Sequence, residues 1–222
     1  MVACVVIPTY NESKEIGDVV RRLRQQNLEV VVIEDGSRDN TSLIARENGA
    51  VVIRNQTNEG KGASLIKGFQ YAIKNNFDAV ITMDGDGQHI PEEALNFIHA
   101  AEGNNAALFI GDRMTNPKGM PNVRWLTNKF MSWLISGIIG QKALDTQCGF
   151  RLIKTEALKN ICLKTSKYET ESEIIIKISR AGYKIASVPI KTVYKNEKSQ
   201  INPFIDTLRF IKFISGELFR HN

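Results

Sequence analysis

Two aspartates separated by one glycine carry the strongest chemical signal in this chain. They lie in Asp84-Gly85-Asp86-Gly87-Gln88-His89, directly behind the apolar run Ala79-Val80-Ile81-Thr82-Met83. Two carboxylates at the end of a buried strand need a partner, because an uncompensated charge is costly to remove from water. A hard divalent cation, which takes oxygen ligands, is the partner that suits them. The flanking glycines let backbone approach such a cation, or a phosphate, closely. The competing reading of this segment alone is a polar strand-to-helix turn whose aspartates cap the next helix.

The elements that would position these residues follow from periodicity. Val2 to Ile7 is a β-branched run, read as a buried strand that breaks at Pro8 to Glu12. Asn11 or Ser13 is placed to cap a helix with Ile16, Val19, Val20 and Leu23 on its apolar face. Glu29 to Glu34 is a second strand, and the turn Asp35 to Thr41 leads to a short helix ending at Gly49. Ala50 to Ile53 is a third strand, Asn58-Glu59-Gly60-Lys61-Gly62 opens a helix reaching about Lys74, and Ala79 to Met83 is a fourth strand. Pro91 is well placed to begin the next helix, and Ala106 to Ile110 is a fifth strand. Alternating helices and apolar strands predict an α/β fold with a parallel sheet covered on both faces. Ligands of such folds bind at the C-terminal strand ends. Those ends carry Thr9-Tyr10-Asn11-Glu12, Glu34-Asp35-Gly36-Ser37, Asp84-Gly85-Asp86 and Gly111-Asp112-Arg113, so acidic and polar groups converge on one rim.

Beyond Gly111 the pattern changes. Val123 to Gly140 predicts a helix with a broad apolar face that holds both tryptophans, Trp125 and Trp133. A loop from Asp145 to Arg151 runs into a strand over Phe150 to Ile153, followed by a helix over Glu169 to Ala181 and a strand over Tyr183 to Pro189. Pro203 to Phe219 predicts a last, broadly apolar helix with Arg209, Lys212 and Arg220. The 123–140 and 203–219 helices have two readings: core elements on the sheet, or amphipathic helices in a membrane interface with tryptophans at headgroup depth.

The 222 residues suit one ordinary domain, and an apolar fraction of 42% suits a good core. The net charge is +5, with Arg113, Lys118, Arg124, Lys129, Lys142, Arg151 and Lys154 in succession, which suits an anionic partner, although on charge alone solvated surface lysine is the better reading. Cys4, Cys148 and Cys162 are odd in number and far apart, so a disulfide framework or a paired-cysteine zinc site is not expected, and a reduced cytoplasmic compartment is. No signal peptide and no span of about 18 apolar residues is expected.

The motifs taken together resemble the family-2 glycosyltransferases of GT-A fold. They are Ile7-Pro8-Thr9-Tyr10-Asn11-Glu12, Glu34 to Thr41, Asn58 to Gly62, the Asp84/Asp86 pair, and Asp145-Thr146-Gln147-Cys148-Gly149-Phe150-Arg151. With Tyr194 to Pro203, they are most similar to the dolichol-phosphate mannose synthase and dolichyl-phosphate glucosyltransferase branch. The resemblance implies a Rossmann-like, mostly parallel sheet between helices. Residues 1–112 would bind the nucleotide sugar, and residues 113–222 the acceptor.

It also implies roles. Asp86, with Gln88, would ligate Mg2+ or Mn2+, which take oxygen donors, and Asp84 would contact the metal or the nucleotide ribose. Pro8, Thr9, Tyr10 and Glu12 would wall the nucleotide pocket, Asp35 would meet base or ribose, and Lys61 in Gly60-Lys61-Gly62 would face phosphate. Asp145 would be the general base or orient the acceptor, and Arg113 and Arg151 would hold phosphates. The implied reaction is inverting transfer of glucose or mannose from a UDP- or GDP-hexose to a polyprenyl phosphate. It would occur peripherally at the cytosolic membrane face, with a membrane partner subunit admissible and no nucleic acid involved. A saccharide acceptor is the alternative, and a non-catalytic nucleotide-sugar-binding subunit ranks below it. A sugar-nucleotide pyrophosphorylase would need a Gly-rich basic loop after the first strand, where this chain has Pro8 to Glu12. The chain departs from the family pattern at Glu34 (commonly Asp), Asp112 (usually Ser) and Gln200 (usually Lys), and the C-terminal spans of many relatives are not expected within its 222 residues.

Overall fold

The computed structural model describes residues 1–193 together with Ile214 and Gly216. The stretch 194–203 and the helix expected over 203–219 therefore lie outside the described residues, except that Ile214 and Gly216 are helical and Ile214 is buried.

The apolar runs form the expected strands: β1 (Ala3–Thr9), β2 (Glu29–Glu34), β3 (Val51–Arg54), β4 (Ala79–Thr82) and β5 (Ala106–Asp112). Later come β6 (Arg151–Lys154) and β7 (Lys184–Pro189). They make one seven-stranded sheet in the order β3-β2-β1-β4-β6-β5-β7, so residues from both halves of the chain share it. The helices are α1 (Ile16–Gln25), α2 (Thr41–Glu47), α3 (Lys61–Lys74), α4 (Ala94–Ala101), α5 (Asn122–Ile139), α6 (Thr155–Lys159) and α7 (Glu169–Arg180), with a 3-10 turn at Pro91–Glu93. Right-handed crossovers put α1 and α2 on one face and α3 on the other. On its face α3 packs against β1 and β2 and touches α6 and α7. A side chain at Gly68 of α3 would collide with Val6 of β1, so this glycine sets how closely helix and sheet approach. The chain leaves β1 towards β3 and then returns to β4 on β1's other side. The β1/β4 boundary is therefore the topological switch point, where doubly wound sheets open a crevice.

Four expectations need correction. Pro8 does not end β1, which continues to Thr9 through the pairs Pro8↔Ile33 and Thr9↔Glu34. The amide of Met83 donates to Val6 O, so alternation turns the backbone of Pro8 to the β4 side, where pairing has stopped at Val6↔Thr82. The missing N–H of proline costs nothing there. Neither Asn11 nor Ser13 caps α1, which begins without a side-chain cap. β3 is a partly exposed edge strand rather than a buried one. Finally, β6 runs antiparallel between β4 and β5, with Thr82 opposite Arg151 and Ile110 also opposite Arg151. The chain re-enters the sheet from the rim, which places the loop before β6 at the C-terminal ends of β4 and β5.

Cys4 and Cys148 are fully buried, and burial pushes both thiols up to about 12, whereas Cys162 is exposed. Alkylation of the native protein at pH ~8, where a thiol needs both access and thiolate character, is expected to label Cys162 alone. Peptide mass mapping checks this.

Candidate active site

The loops after β1 and β2 fasten to one another. Asn11 takes the left-handed conformation (φ 57°), which asparagine tolerates. Its amide donates to Ser37 Oγ (2.9 Å) and its Oδ1 accepts from the Arg38 amide (3.0 Å). The Glu12 amide donates to Thr41 Oγ1 (2.9 Å), and the Ser13 amide to Asp39 Oδ2 (3.2 Å). Burial alone would raise the Asp39 carboxyl, but the donors on Thr41 and Ser13 outweigh it and hold it below the usual range. Asp35 was expected to meet base or ribose. Instead it is buried, and its oxygens accept from the amides of Glu59 (2.8 Å) and Gly60 (2.8 Å) and from Asn55 Nδ2 (2.8 Å). Its visible work is to pin the loop that opens α3. Pro8, Tyr10 and Glu12 remain part-exposed at the rim, and Thr9 Oγ1 is buried with no hydrogen-bond partner among the described residues.

Across the switch point, Asp84 and Asp86 follow β4. A Cβ on Gly85 would come 2.8 Å from Thr9 Cγ2, so this glycine lets the β1 and β4 ends close together. Lys61, from the N-terminus of α3, places Nζ 2.6 Å from Asp84 Oδ1 and 2.8 Å from Glu171 Oε1. Burial disfavours the Lys61 ammonium, but the two carboxylates outweigh it and hold it protonated well above the ordinary lysine range. Burial also works against the Asp84 carboxylate, and Lys61 overrides it, holding Asp84 well below the ordinary range. Asp86 goes the other way: burial first, then the charge of Asp84, push it up. One Asp86 oxygen accepts from the Gln88 amide (2.9 Å), and among the described residues no cation pairs with it.

This arrangement fits a hard divalent ion. Asp86 is a half-buried negative charge without a counter-ion, beside a second carboxylate, and the Gln88 side chain adds a neutral oxygen within the same turn. No cluster of three or more His, Cys, Asp and Glu ligands occurs among the described residues. Mg2+ is commonly held by one or two carboxylates together with substrate phosphates. His89 is buried against Phe150, with Nε2 3.8 Å from Asp84 Oδ2 and Nδ1 unpartnered among the described residues.

The loop before β6 brings the remaining candidates to this rim, but engages them differently from expectation. Arg113 and Asp145 form a buried pair, Nε to Oδ2 2.6 Å and Nη2 to Oδ1 2.9 Å, and the Arg113 amide also donates to Oδ2 (3.2 Å). The guanidinium expected to hold phosphate is committed to a carboxylate, and the expected base has both oxygens occupied. Arg151 is likewise buried and donates to the carbonyls of Cys148 (2.7 Å), Thr146 (2.9 Å) and Glu171 (2.6 Å). It braces the loop and the start of α7. Asp112, where the family usually has serine, accepts from the amides of Met114 (2.8 Å) and Thr115 (3.1 Å) and shapes the turn after β5.

Gly60-Lys61-Gly62 is not an open phosphate cradle. The Ala63 amide donates to Ser166 O (3.1 Å), and a Cβ on Gly62 would lie 2.7 Å from the Ser166 carbonyl carbon. The glycines admit the 166–170 backbone onto the start of α3. That contact delivers Glu171, which sequence reasoning missed because an acidic first turn suits a helix N-terminus without any site.

Helix α5 packs beside the loop that precedes β6. Ser132 and Asn128 face inward, with Ser132 Oγ accepting from the Thr146 amide (2.9 Å). Val123, Leu126, Phe130 and Trp133 form an exposed apolar stripe. Beside it lies a cavity of about 400 Å3 lined by Met114, Trp125, Lys129, Trp133, Lys142 and Leu144, among others. Lys129 Nζ sits 4.7 Å from the Trp125 ring centre. Among the described residues no helix is long and apolar enough to cross a membrane.

The glycosyl transferase family 2 model matches residues 4–162, which span β1, the Asp84/Asp86 turn, α5 and β6. The chain belongs to that family. It is 32% identical over 213 residues to the UDP-N-acetylglucosamine–dolichyl-phosphate N-acetylglucosaminyltransferase of Methanococcus voltae, covering 86% of this chain and 85% of that one. It is 31% identical over 204 residues to a dolichyl-phosphate hexose transferase of Haloferax volcanii, covering 90% and 86%. Among solved structures it is similar in fold to glucosyl-3-phosphoglycerate synthase from Mycobacterium tuberculosis in complex with Mn2+, UDP and phosphoglyceric acid. That match has a TM-score of 0.70 and 20% identity, and covers 89% of this chain and 72% of the other.

Removing one partner of a buried ion pair strands the other charge. Arg113→Ala is therefore expected to lower the unfolding free energy of the transferase by about 3–5 kcal/mol. Arg113→Met combined with Asp145→Leu is expected to regain most of the loss. Urea denaturation of the three proteins checks both outcomes.

Proposed function

We propose that this glycosyltransferase moves a hexose, glucose or mannose, from a UDP- or GDP-hexose to a polyprenyl phosphate of the dolichyl type, with inversion. It does so as a peripheral enzyme at the cytosolic membrane face, alone or beside a membrane subunit. The observation that carries the reading is one juxtaposition: the Asp84/Asp86 pair at the switch point shares the rim with the loop that docks α5, whose apolar stripe and lysine-bearing cavity face outward. The dolichyl-phosphate relatives from M. voltae and H. volcanii support the same acceptor class.

Within this reading, Pro8, Thr9, Tyr10 and Glu12 line the nucleotide, and Asp84, Asp86 and Gln88 hold Mg2+ or Mn2+. The bound cation supplies charge neutralisation for the departing diphosphate. The acceptor phosphate oxygen bonds to the anomeric carbon as the bond to the nucleotide diphosphate breaks on the opposite face. That oxygen is already an anion near neutral pH, so no proton has to be removed. The sequestered state of Asp145 agrees with this: the Arg113–Asp145 pair braces the floor of the acceptor region instead of serving as a base. Lys129 and Lys142 offer positive charge to the lipid phosphate, and the α5 stripe meets the acyl boundary.

The test is transfer of labelled sugar from UDP-glucose, GDP-mannose and UDP-N-acetylglucosamine to polyprenyl phosphate in vesicles with Mn2+. Lipid-linked sugar is expected, lost on chelation, with kcat lowered about a hundredfold or more in Asp86→Ala. Glycosylation of a soluble saccharide without lipid product would replace the acceptor assignment. Unchanged function of Asp86→Ala would favour a non-catalytic binding subunit.

A further inference from the structure

Lys61 occupies an unusual position for a residue of a cation site. Its ammonium bridges two carboxylates from different elements, Asp84 after β4 (2.6 Å) and Glu171 at the start of α7 (2.8 Å). The bridge is built rather than incidental. A Cβ on Gly149 would lie 2.8 Å from Asp84 Oδ2 and 3.1 Å from both Glu171 Oε1 and Lys61 Nζ, so the loop beneath the cluster holds glycine where a larger residue would intrude. Arg151 donates to the Glu171 carbonyl and lies 3.8 Å from its carboxylate. Gly60 and Gly62 admit the 166–170 segment that carries Glu171 to the same point. Three parts of the chain are thus shaped around one ammonium.

Charge counting gives the consequence. Asp84, Asp86 and Glu171 contribute three negative charges, while Lys61 and Arg151 contribute two positive ones. The cluster is short of one positive charge, and the deficit sits at Asp86. A divalent ion shared by Asp84 and Asp86 would overcompensate while Lys61 still held Asp84, because two cations would then compete for one carboxylate.

We propose that Lys61 is the internal counter-ion of the metal-free site and that Glu171 is its second seat. When a divalent cation takes Asp84, Lys61 gives up that carboxylate and stays on Glu171. Lys61 and Glu171 are thereby positioning residues that set the strength of cation binding without ligating it. The inference rests on the cation reading of Asp84 and Asp86 given above and extends it to two residues that reading leaves without a task.

The probe is Mn2+ alone, followed by loss of the free-ion electron paramagnetic resonance signal, with thermal unfolding measured with and without the ion. In Lys61→Met the metal-free midpoint is expected to fall, and Mn2+ to raise it further than in wild type. Mn2+ is expected to bind about tenfold more tightly, the equivalent of about 1.4 kcal/mol of removed competition. Glu171→Gln removes the second seat and is expected to weaken Mn2+ binding several-fold. Lys61→Arg keeps the charge and is expected to retain the wild-type metal-free midpoint. Where Lys61→Met is too unstable to purify, Glu171→Gln, nearly isosteric, reads the same competition. Mn2+ binding that requires Asp86 yet is unchanged in Lys61→Met or in Glu171→Gln overturns the counter-ion assignment and leaves the cation site standing. Absence of Mn2+ binding in wild type and Lys61→Met alike overturns both.

Discussion

Half-burying two carboxylates one residue apart costs free energy that only opposite charge offsets, and the rim of this sheet is organised around that cost. Asp84 pairs with Lys61, whereas Asp86 accepts from the Gln88 amide and has no ion pair among the described residues. That imbalance is what the proposed cation site rests on.

The supporting structure turns basic residues inward. Arg113 is consumed by Asp145, and Arg151 by three carbonyls, so the two arginines expected to meet phosphate instead fix the loop between α5 and β6. That loop exists at the rim because β6 enters the sheet antiparallel, starting where β4 ends. One reversed strand therefore brings the loop between α5 and β6 to the rim that carries Asp84 and Asp86. Ser132 on α5 and Glu171 on α7 are both tied to it, directly or through Arg151.

Helix α5 is apolar on two sides: Ile135 is buried in the core, while Val123, Leu126, Phe130 and Trp133 are exposed, and Ser132 Oγ accepts from the Thr146 amide. A contiguous exposed apolar surface marks an interaction site. The stripe lies next to the cavity lined by Lys129 and Lys142. The core reading of this helix describes one side of it: Met131, Leu134 and Ile138 pack on the core, while the stripe does not.

The sequence by itself determined the strands, most of the helices and the convergence of Thr9 to Glu12, Glu34 to Ser37 and Asp84 to Asp86 on one rim. These follow from local periodicity and from where turns interrupt apolar runs, and a parallel sheet then aligns every strand end. Tertiary structure alone decided what each charged side chain is spent on. Whether Arg113 meets a phosphate or Asp145, and whether Lys61 faces solvent or Glu171, depends on segments tens to more than a hundred residues apart. The continuation of β1 through Pro8 was equally hidden, since it depends on where the neighbouring ladder stops. Local sequence reports propensity and pattern. An ion pair needs its charged atoms within about 4 Å, so it is settled only when distant segments are packed side by side.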